Sequence, residues 1–551
     1  MQGREYCIDK GHWRRRAGRW AVSTTVMALT GCIQVGPDYT EPEAPLATEW
    51  QESDDQRIAT SPPEDATWWR SFEDPVLSAL VEMAPAQSPT VQIAGVRVLQ
   101  ARAQLGAAIG ELYPQQQQFG SELRYQQLSD RDPTSRLIEE AQRDTGFNGN
   151  VPSLDDRDFW VTHLGIGAAW ELDFWGKFRR SLESADAGLT ASVADYDNAL
   201  VSLTASVAST YVNIRTYQER LKLARENAEA QRESLQLTQV RFRNGQTGQT
   251  DVEQALSEYA ETRSKIPQYE IGVQQNEHAL SVLLGMPPGN LDALLEPAGG
   301  IPVAPAEVAV GIPADLLRRR PDIRSAEQEA AAQSALIGAT KAQLYPAFSL
   351  SGSFGFTSSD INGASLSDVF KWSSRAVSIG PAVTWNLFNY GQITNQVRAQ
   401  DANFQQAILG YQNTVLQAQQ EVEDALASFL GAQDSAALLA EAVAAGKRSV
   451  ELATFQYREG ATGYTTVLTA QQNLFEQQDN LAVTQGDVAQ GLISLYRALG
   501  GGWQTRQDQD FVRDDIRQAM AERTDWGGLL EDPTPAAVEQ TRVPLVPVPE
   551  F

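Results

Sequence analysis

Two cysteines, Cys7 and Cys32, are all that 551 residues contain, so no disulfide framework can hold this chain together. The three histidines (His12, His163 and His278) stand far apart, and no spacing among them suits a metal ion. Methionine is scarce as well, at five, two of them (Met1 and Met27) close to the N-terminus, which gives little support to a soft-metal relay. No apolar run reaches the ~20 residues that a membrane-spanning helix needs. If the chain meets a bilayer, it must lie on the surface or contribute strands to a closed barrel. Positive charge is the minority sign: 44 Lys and Arg oppose 70 Asp and Glu, for a net charge of −26. Phosphate backbones need a basic face, so a nucleic acid partner is not expected. No catalytic constellation emerges either. Gly165-x-Gly167 lies in an alternating stretch with no helix start behind it, unlike a dinucleotide loop, and Ser351-Gly352-Ser353 lacks the frame of a nucleophile elbow. The expectation is a protein that is not an enzyme and carries no cofactor or metal.

What is present begins with a leader. Arg14, Arg15, Arg16 and Arg19 precede a short apolar run, Trp20 to Leu29, the pattern of an export signal over residues 1–31. Leu29-Thr30-Gly31-Cys32 resembles the bacterial lipobox, in which cleavage falls before the cysteine and the cysteine is diacylated. Cys32 is therefore the expected lipidation site, and residues 32–74 the lipidated N-terminal segment. Two acyl chains on one residue anchor more firmly than one can. Ile33 stands where an aspartate would favour retention at the inner membrane, so the expected location is the outer membrane, with the body reaching into the periplasm.

A tandem duplication sets the architecture. At a constant offset of 215, Trp170 maps onto Trp385, Gly176 onto Gly391, Phe242 onto Tyr457, Gly245 onto Gly460, Gly248 onto Gly463, and Leu284-Gly285 onto Leu499-Gly500. At an offset of 232, Pro89 maps onto Pro321 and Leu112-Tyr113-Pro114 onto Leu344-Tyr345-Pro346. One supersecondary unit is thus expected twice. The first spans 75–285, with a helix, a β-hairpin at 113–174, a long helix at 177–244 and a return helix at 249–284. A linker at 286–313 leads to the second, 314–502, with a helix, a β-hairpin at 345–389, a long helix at 391–459 and a return helix at 464–499. Residues 503–551 are charged, then proline-rich, and expected to be partly disordered.

Each long helix has a coiled-coil seam at alternating steps of three and four: Val193, Tyr196, Leu200, Leu203, Val207, Thr210, Ile214, Tyr217 and Leu221, then Ile408, Tyr411, Val415, Ala418, Val422, Ala425, Phe429 and Ala432. The return helices are half as long, so the helices Pro75–Leu112 and Ala314–Leu344 should fill the rest, stacked end to end with them. Pro267 should kink its helix. Between helices the period becomes two. Phe348, Leu350, Phe354 and Phe356 alternate with Ser349, Ser351, Ser353 and Gly355; Val377, Ile379, Val383, Trp385 and Leu387 alternate with small residues, and Trp160, Leu164, Ile166, Trp170, Leu172 and Phe174 do the same in the first copy. The Gln-rich partner at 115–128 gives the weakest pattern. Either the sheet packs on a helix in water, or its apolar face meets lipid while the small polar face lines a wet lumen. Four strands cannot close a membrane barrel. Two copies would give eight strands and three would give twelve, and the small inward residues favour three. Pro381 fits a strand awkwardly.

Several segments together resemble the lipoprotein branch of the TolC/OprM family of outer-membrane efflux proteins. They are Val35-Gly36-Pro37-Asp38-Tyr39, Trp68-Trp69 with Phe72-Glu73-Asp74-Pro75, Trp170-Glu171-Leu172-Asp173-Phe174-Trp175-Gly176, Arg319-Arg320-Pro321-Asp322-Ile323, Trp385-Asn386-Leu387-Phe388 and Leu499-Gly500-Gly501-Gly502-Trp503. The resemblance implies a mainly α channel-tunnel with membrane β-strands. It would be a homotrimer closing a twelve-stranded barrel in outer-membrane lipid, its helical tunnel docked to a periplasmic adaptor and, through it, to an inner-membrane pump of the resistance-nodulation-division class. It also implies a gate at the tips of the second hairpin: Tyr457, the turn Gly460, and the segment from Thr462 through Thr465 and Thr466 to Thr469. The family's gate aspartate falls on Thr469, so an acidic ring is not supported there. Sterics, hydroxyl hydrogen bonds or Asp251 of the first copy would have to serve, unless Asp251 simply caps its helix. Adaptor contact is expected at the turns, near Arg241, Arg243, Gly245, Gly248, Arg458, Gly460 and Gly463. Rival roles are a channel for type I secretion or metal efflux, and a periplasmic coiled-coil tether. Replacing Cys32 by Ser is expected to abolish metabolic acyl labelling; labelling of C32S at the wild-type level would refute the lipobox.

Overall fold

The computed structural model describes residues 34–61, 66–127, 129, 158–297, 299–360, 365–506 and 510–530. Cys32 and the connection at the far end of the first β-hairpin lie outside them. Copy one supplies α1 (Pro75–Gln87), α2 (Pro89–Gly110), β1 (Gln116–Gln127), β2 (Asp158–Leu172), α3 (Lys177–Arg243) and α4 (Gln249–Leu283). Copy two supplies α5 (Pro321–Ala342), β3 (Ala347–Ser359), β4 (Arg375–Thr384), α6 (Gln392–Arg458) and α7 (Tyr464–Ala498); α8 (Asp514–Arg523) follows. The duplication shows in the lengths: 22 residues for α2 and α5, 67 for α3 and α6, 35 for α4 and α7. At 1.5 Å per residue the long helices measure about 100 Å.

The helix expected over Pro75–Leu112 is two helices, broken at Ser88, and that over Ala314–Leu344 breaks at Arg320, leaving only a short turn, Leu316–Arg319, ahead of α5. Both breaks precede a proline. Its ring excludes the preceding residue from the helical basin, and Ser88 and Arg320 accordingly sit at ψ 121° and 116°. By contrast, α4 continues through Pro267 as one helix.

The chain divides into two compact units. One comprises Met1–Thr40, Gln104–Asp186 and Ala331–Gln405 and carries the sheet. Its strands run β1-β2-β3-β4, every neighbour antiparallel, and β2 of the first copy pairs with β3 of the second from Leu172↔Phe348 to Val161↔Ser359. This register gathers the apolar residues of all four strands on one face: Phe119, Leu123 and Tyr125; Trp160, Leu164 and Ile166; Phe348, Leu350, Phe354 and Phe356; Val377, Ile379 and Val383. The other face holds Gly120, Gly165, Gly167, Ser351, Ser353, Ser378 and Gly380. Among the described residues nothing covers the apolar face: Phe119 is 71% exposed and Ile379 78%. A soluble sheet would bury such a face. Trp385, Leu387 and Phe174 fall just beyond the strands, where the chain turns into the long helices. There the indoles of Trp170, Trp175 and Trp385 donate to the carbonyls of Leu112, Pro346 and Leu344. Tyr125, Trp160 and Trp372 mark the opposite end of the strands, so aromatics flank the apolar band on both sides. Pro381 sits on β4, which has no outer neighbour in the chain, the position where a missing N–H is tolerated.

The second unit comprises Glu41–Ala103, Ala187–Ala330 and Gln406–Phe551. Its core joins Leu200, Leu203, Val207 and Ile214 of α3 to Val415, Ala418, Val422 and Phe429 of α6, with Trp68, Trp69 and Phe72 packed among them. Gly285 and Gly500, at φ +70° and +77°, end α4 and α7 against the starts of α2 and α5. A Cβ at Gly285 would lie 2.3 Å from the Gln87 carbonyl oxygen, so no other residue fits this end-to-end junction. The linker is pinned where Val308–Ala309 pairs in parallel with Ile58–Ala59.

Of the stretch after Trp503, the described residues 504–506 and 510–530 pack within the second unit. Phe511 and Val512 are buried, the Phe511 ring meets Tyr196 edge-on at 5.0 Å, and the guanidinium of Arg102 lies 5.4 Å from it. Nearby, Arg506 holds the wholly buried carboxylate of Asp197. Two apolar residues in a charged stretch suffice to fold it back onto α2 and α3. Phe511→Ala should cost about 3–5 kcal/mol of local stability, read as faster proteolysis after residue 503; unchanged proteolysis would contradict this packing.

Candidate functional site

The two helical hairpins end in matching turns. At the end of α3, Gln246 N donates to Arg241 O at 2.8 Å and Gly245 N to Phe242 O at 2.9 Å; at the end of α6, Ala461 N donates to Gln456 O at 2.8 Å and Gly460 N to Tyr457 O at 3.0 Å. Gly245 and Gly460 take φ +69° and +74°, the left-handed conformation this cap requires. Gly248 and Gly463 then open α4 and α7 in extended conformation.

Between the turns, Leu235, Ala255, Ala453, Tyr457, Tyr464, Val467 and Ala470 form a small apolar cluster. Tyr457 and Tyr464 meet edge-on, ring centroids 5.6 Å apart. Burial pushes both phenols above their ordinary value. Because Tyr464, Val467 and Ala470 turn inward, the opposite face of α7 carries Thr465, Thr466 and Thr469, all exposed. Thr462 and Thr466 share a hydrogen bond at 2.9 Å, and Thr469 donates back to the Thr465 carbonyl at 2.9 Å. The four threonines make a neutral hydroxyl stripe.

Asp251 stands in the first turn of α4 and accepts a hydrogen bond from Thr247. Gly248 is the N-cap and no side chain caps it, so Asp251 serves the helix only by placing a carboxylate at the positive end of its dipole. Of the three arginines, Arg243 and Arg458 are exposed. Arg241 is not a free tip charge. It crosses to the other hairpin, donates to the carbonyls of Tyr457 and Arg458, and lays its guanidinium 4.7 Å over the Tyr457 ring. A cation at the last carbonyls of α6 also complements that helix's dipole. Arg241 therefore ties the first hairpin to the second.

A polar layer behind the tips escaped the sequence pattern. Glu258 is 6% exposed; its carboxylate accepts from Gln231 Nε2 of α3 at 3.2 Å and from Gln472 Nε2 of α7 at 2.6 Å. Beside it Gln471 donates to Ser234 at 2.8 Å. The clue was available: Ala255, Glu258 and Thr262 follow the three–four spacing of a seam, so a charge at 258 faces inward. Further along, Arg220 grips Asp479 with two bonds of 2.8 and 2.9 Å, and Tyr269 joins at 3.1 Å.

The family model described as outer membrane efflux protein matches residues 80–286 and 312–501. The chain is 30% identical over 492 residues to nodulation protein T of Rhizobium leguminosarum bv. viciae, covering 88% of this chain and 94% of that protein. It is also 30% identical over 458 residues to the pyoverdine export outer membrane protein OpmQ of Pseudomonas putida, covering 83% and 92%. Among solved structures, the outer-membrane channel OprN superposes with a TM-score of 0.76 at 31% identity, over 86% of this chain and 100% of that one.

Arg241→Ala removes this polar tie at the turns, and should speed amide exchange several-fold over residues 453–470 while leaving the core of α6 unchanged. Equal exchange in both proteins would show that the apolar cluster alone holds the tips.

Proposed function

The chain belongs to the outer membrane efflux protein family, and from that premise we propose that it works as a lipid-anchored homotrimer, a passive conduit without catalytic chemistry. As an efflux channel of the outer membrane it must enclose a bore. The sheet supports the trimer: four antiparallel strands whose outer edges, β1 and β4, are unpaired and whose apolar face is uncovered among the described residues. In lipid every backbone donor and acceptor needs a partner, so the edges must meet other strands. β1 and β4 run in opposite directions, which lets β4 of one copy pair antiparallel with β1 of the next. Three copies give twelve strands, and the glycines and serines of the inner face leave room for water.

The N-terminal segment supports the anchor. Val35 N donates to Trp175 O at 3.1 Å, and Asp38 binds the buried Arg180 at 2.6 Å. Both contacts lie at the strand–helix turns, and three residues of chain reach at most about 10 Å, so acyl chains on Cys32 would enter lipid beside the barrel.

The hairpin tips are assigned two tasks. Exposed Arg243 and Arg458, with the turns at Gly245, Gly248, Gly460 and Gly463, would receive a periplasmic adaptor. The hydroxyl stripe of Thr462, Thr465, Thr466 and Thr469 would line the closed gate, with the Arg241 tie holding the second hairpin in place. A resistance-nodulation-division pump would supply energy and choose the cargo, which fits relatives with names as different as nodulation and pyoverdine export.

Purified protein in detergent should scatter light as three chains and conduct ions in planar bilayers, with Arg241→Ala raising the fraction of time spent open. A stable monomer, or a trimer without conductance, would overturn the proposal.

A further inference from the structure

Several side-chain contacts join α7 to the first hairpin behind the tips, among them the four that follow. Three of these are Arg220–Asp479, Asn227–Gln478 and Ser234–Gln471. The fourth is Glu258 with Gln231 and Gln472. It differs in kind. Glu258 is as buried as the core around it, yet its carboxyl meets two amides and no cation within bonding distance. The charged groups that act on it, Glu261 and Lys265, belong to its own helix; Lys265 lies over the Phe475 ring at 4.6 Å. From α3 comes only the Gln231 amide, and from α7 the Gln472 amide and the buried phenol of Tyr464. Two neutral amides cannot replace the hydration that an ionised carboxylate loses on burial.

We propose that Glu258 is a proton-operated lock between the two hairpins: neutral, it keeps α7 packed on α3 and α4, and ionised, it drives α7 away from them. This rests on the channel assignment above, since parting the hairpins is what would widen the tunnel entrance. Burial raises the Glu258 carboxyl above the ordinary glutamate value. A carboxyl that holds its proton more firmly when packed than when hydrated favours the packed arrangement in acid. That preference is complete below the ordinary value and is lost as pH rises through the raised one. Because one proton is involved, the ratio of parted to packed hairpins rises at most tenfold per pH unit. Acid therefore closes the tips, and neutral or alkaline solution loosens them.

Spin labels on cysteines introduced at the exposed positions Arg232 of α3 and Asn473 of α7 report the separation directly in the detergent-solubilised full chain. Between pH 4.5 and 8 the distance distribution should shift from a short to a long population in the otherwise native protein. Glu258→Gln, which keeps an acceptor and a donor but cannot ionise, should hold the short distance throughout. Gln472→Glu, which sets a second carboxyl beside the first, should favour the long distance already at lower pH. A pH response in Glu258→Gln equal to that of the parent, or no response in the parent, overturns the lock. Bilayer conductance over the same pH range separates the two claims: no conductance at any pH would sink the channel, whereas conductance indifferent to pH and to Glu258→Gln would sink only the lock.

Discussion

Everything in this protein follows from a sheet that cannot close on itself. A backbone N–H or C=O left unpaired in hydrocarbon costs several kcal/mol, so a strand edge cannot be left facing lipid. This chain carries two such edges and an apolar face bounded by aromatics. It does so with strands long enough, at 10 to 15 residues, to cross a bilayer obliquely. In the proposed trimer these edges would set the stoichiometry, and the stoichiometry would turn paired helical hairpins from each copy into the wall of a tunnel. The duplication serves the same end, because each copy contributes one β-hairpin and one α-hairpin of nearly identical lengths.

The contacts between hairpins are graded by chemistry. Apolar packing of Tyr457, Tyr464 and Val467 closes the tips, and a guanidinium on backbone carbonyls reinforces it without needing an acid in the partner. In the proposed gate these contacts would stand in for the family's aspartate, which falls on Thr469. Behind the tips Arg220 holds Asp479 as a charge pair, whereas Glu258 meets two amides and no cation.

Much of this was legible in the residues. The duplication, the strand faces, the long helices and their glycine turns all rest on local chemistry that repeats: left-handed caps, period-two alternation and seam spacing. Even β1, masked by glutamines, alternates Phe119, Leu123 and Tyr125 on its lipid side. What failed was tertiary. The stops before Pro89 and Pro321 are the exception, a local signal that competes with continuous apolar spacing. Nothing local says that Phe511 folds back onto Tyr196, or that Arg241 turns inward while Arg243 stays exposed. Those outcomes depend on neighbours more than two hundred residues away.

The most direct test of the account is a cross-link between the two free edges. With single cysteines placed at Leu123 of β1 and Ile379 of β4, a short bis-maleimide applied to native outer membranes should yield covalent species of two and three chains, the latter running as closed rings. Linkage confined to single chains, or none at all, would mean that these edges do not meet between copies, and the channel would have to be built some other way.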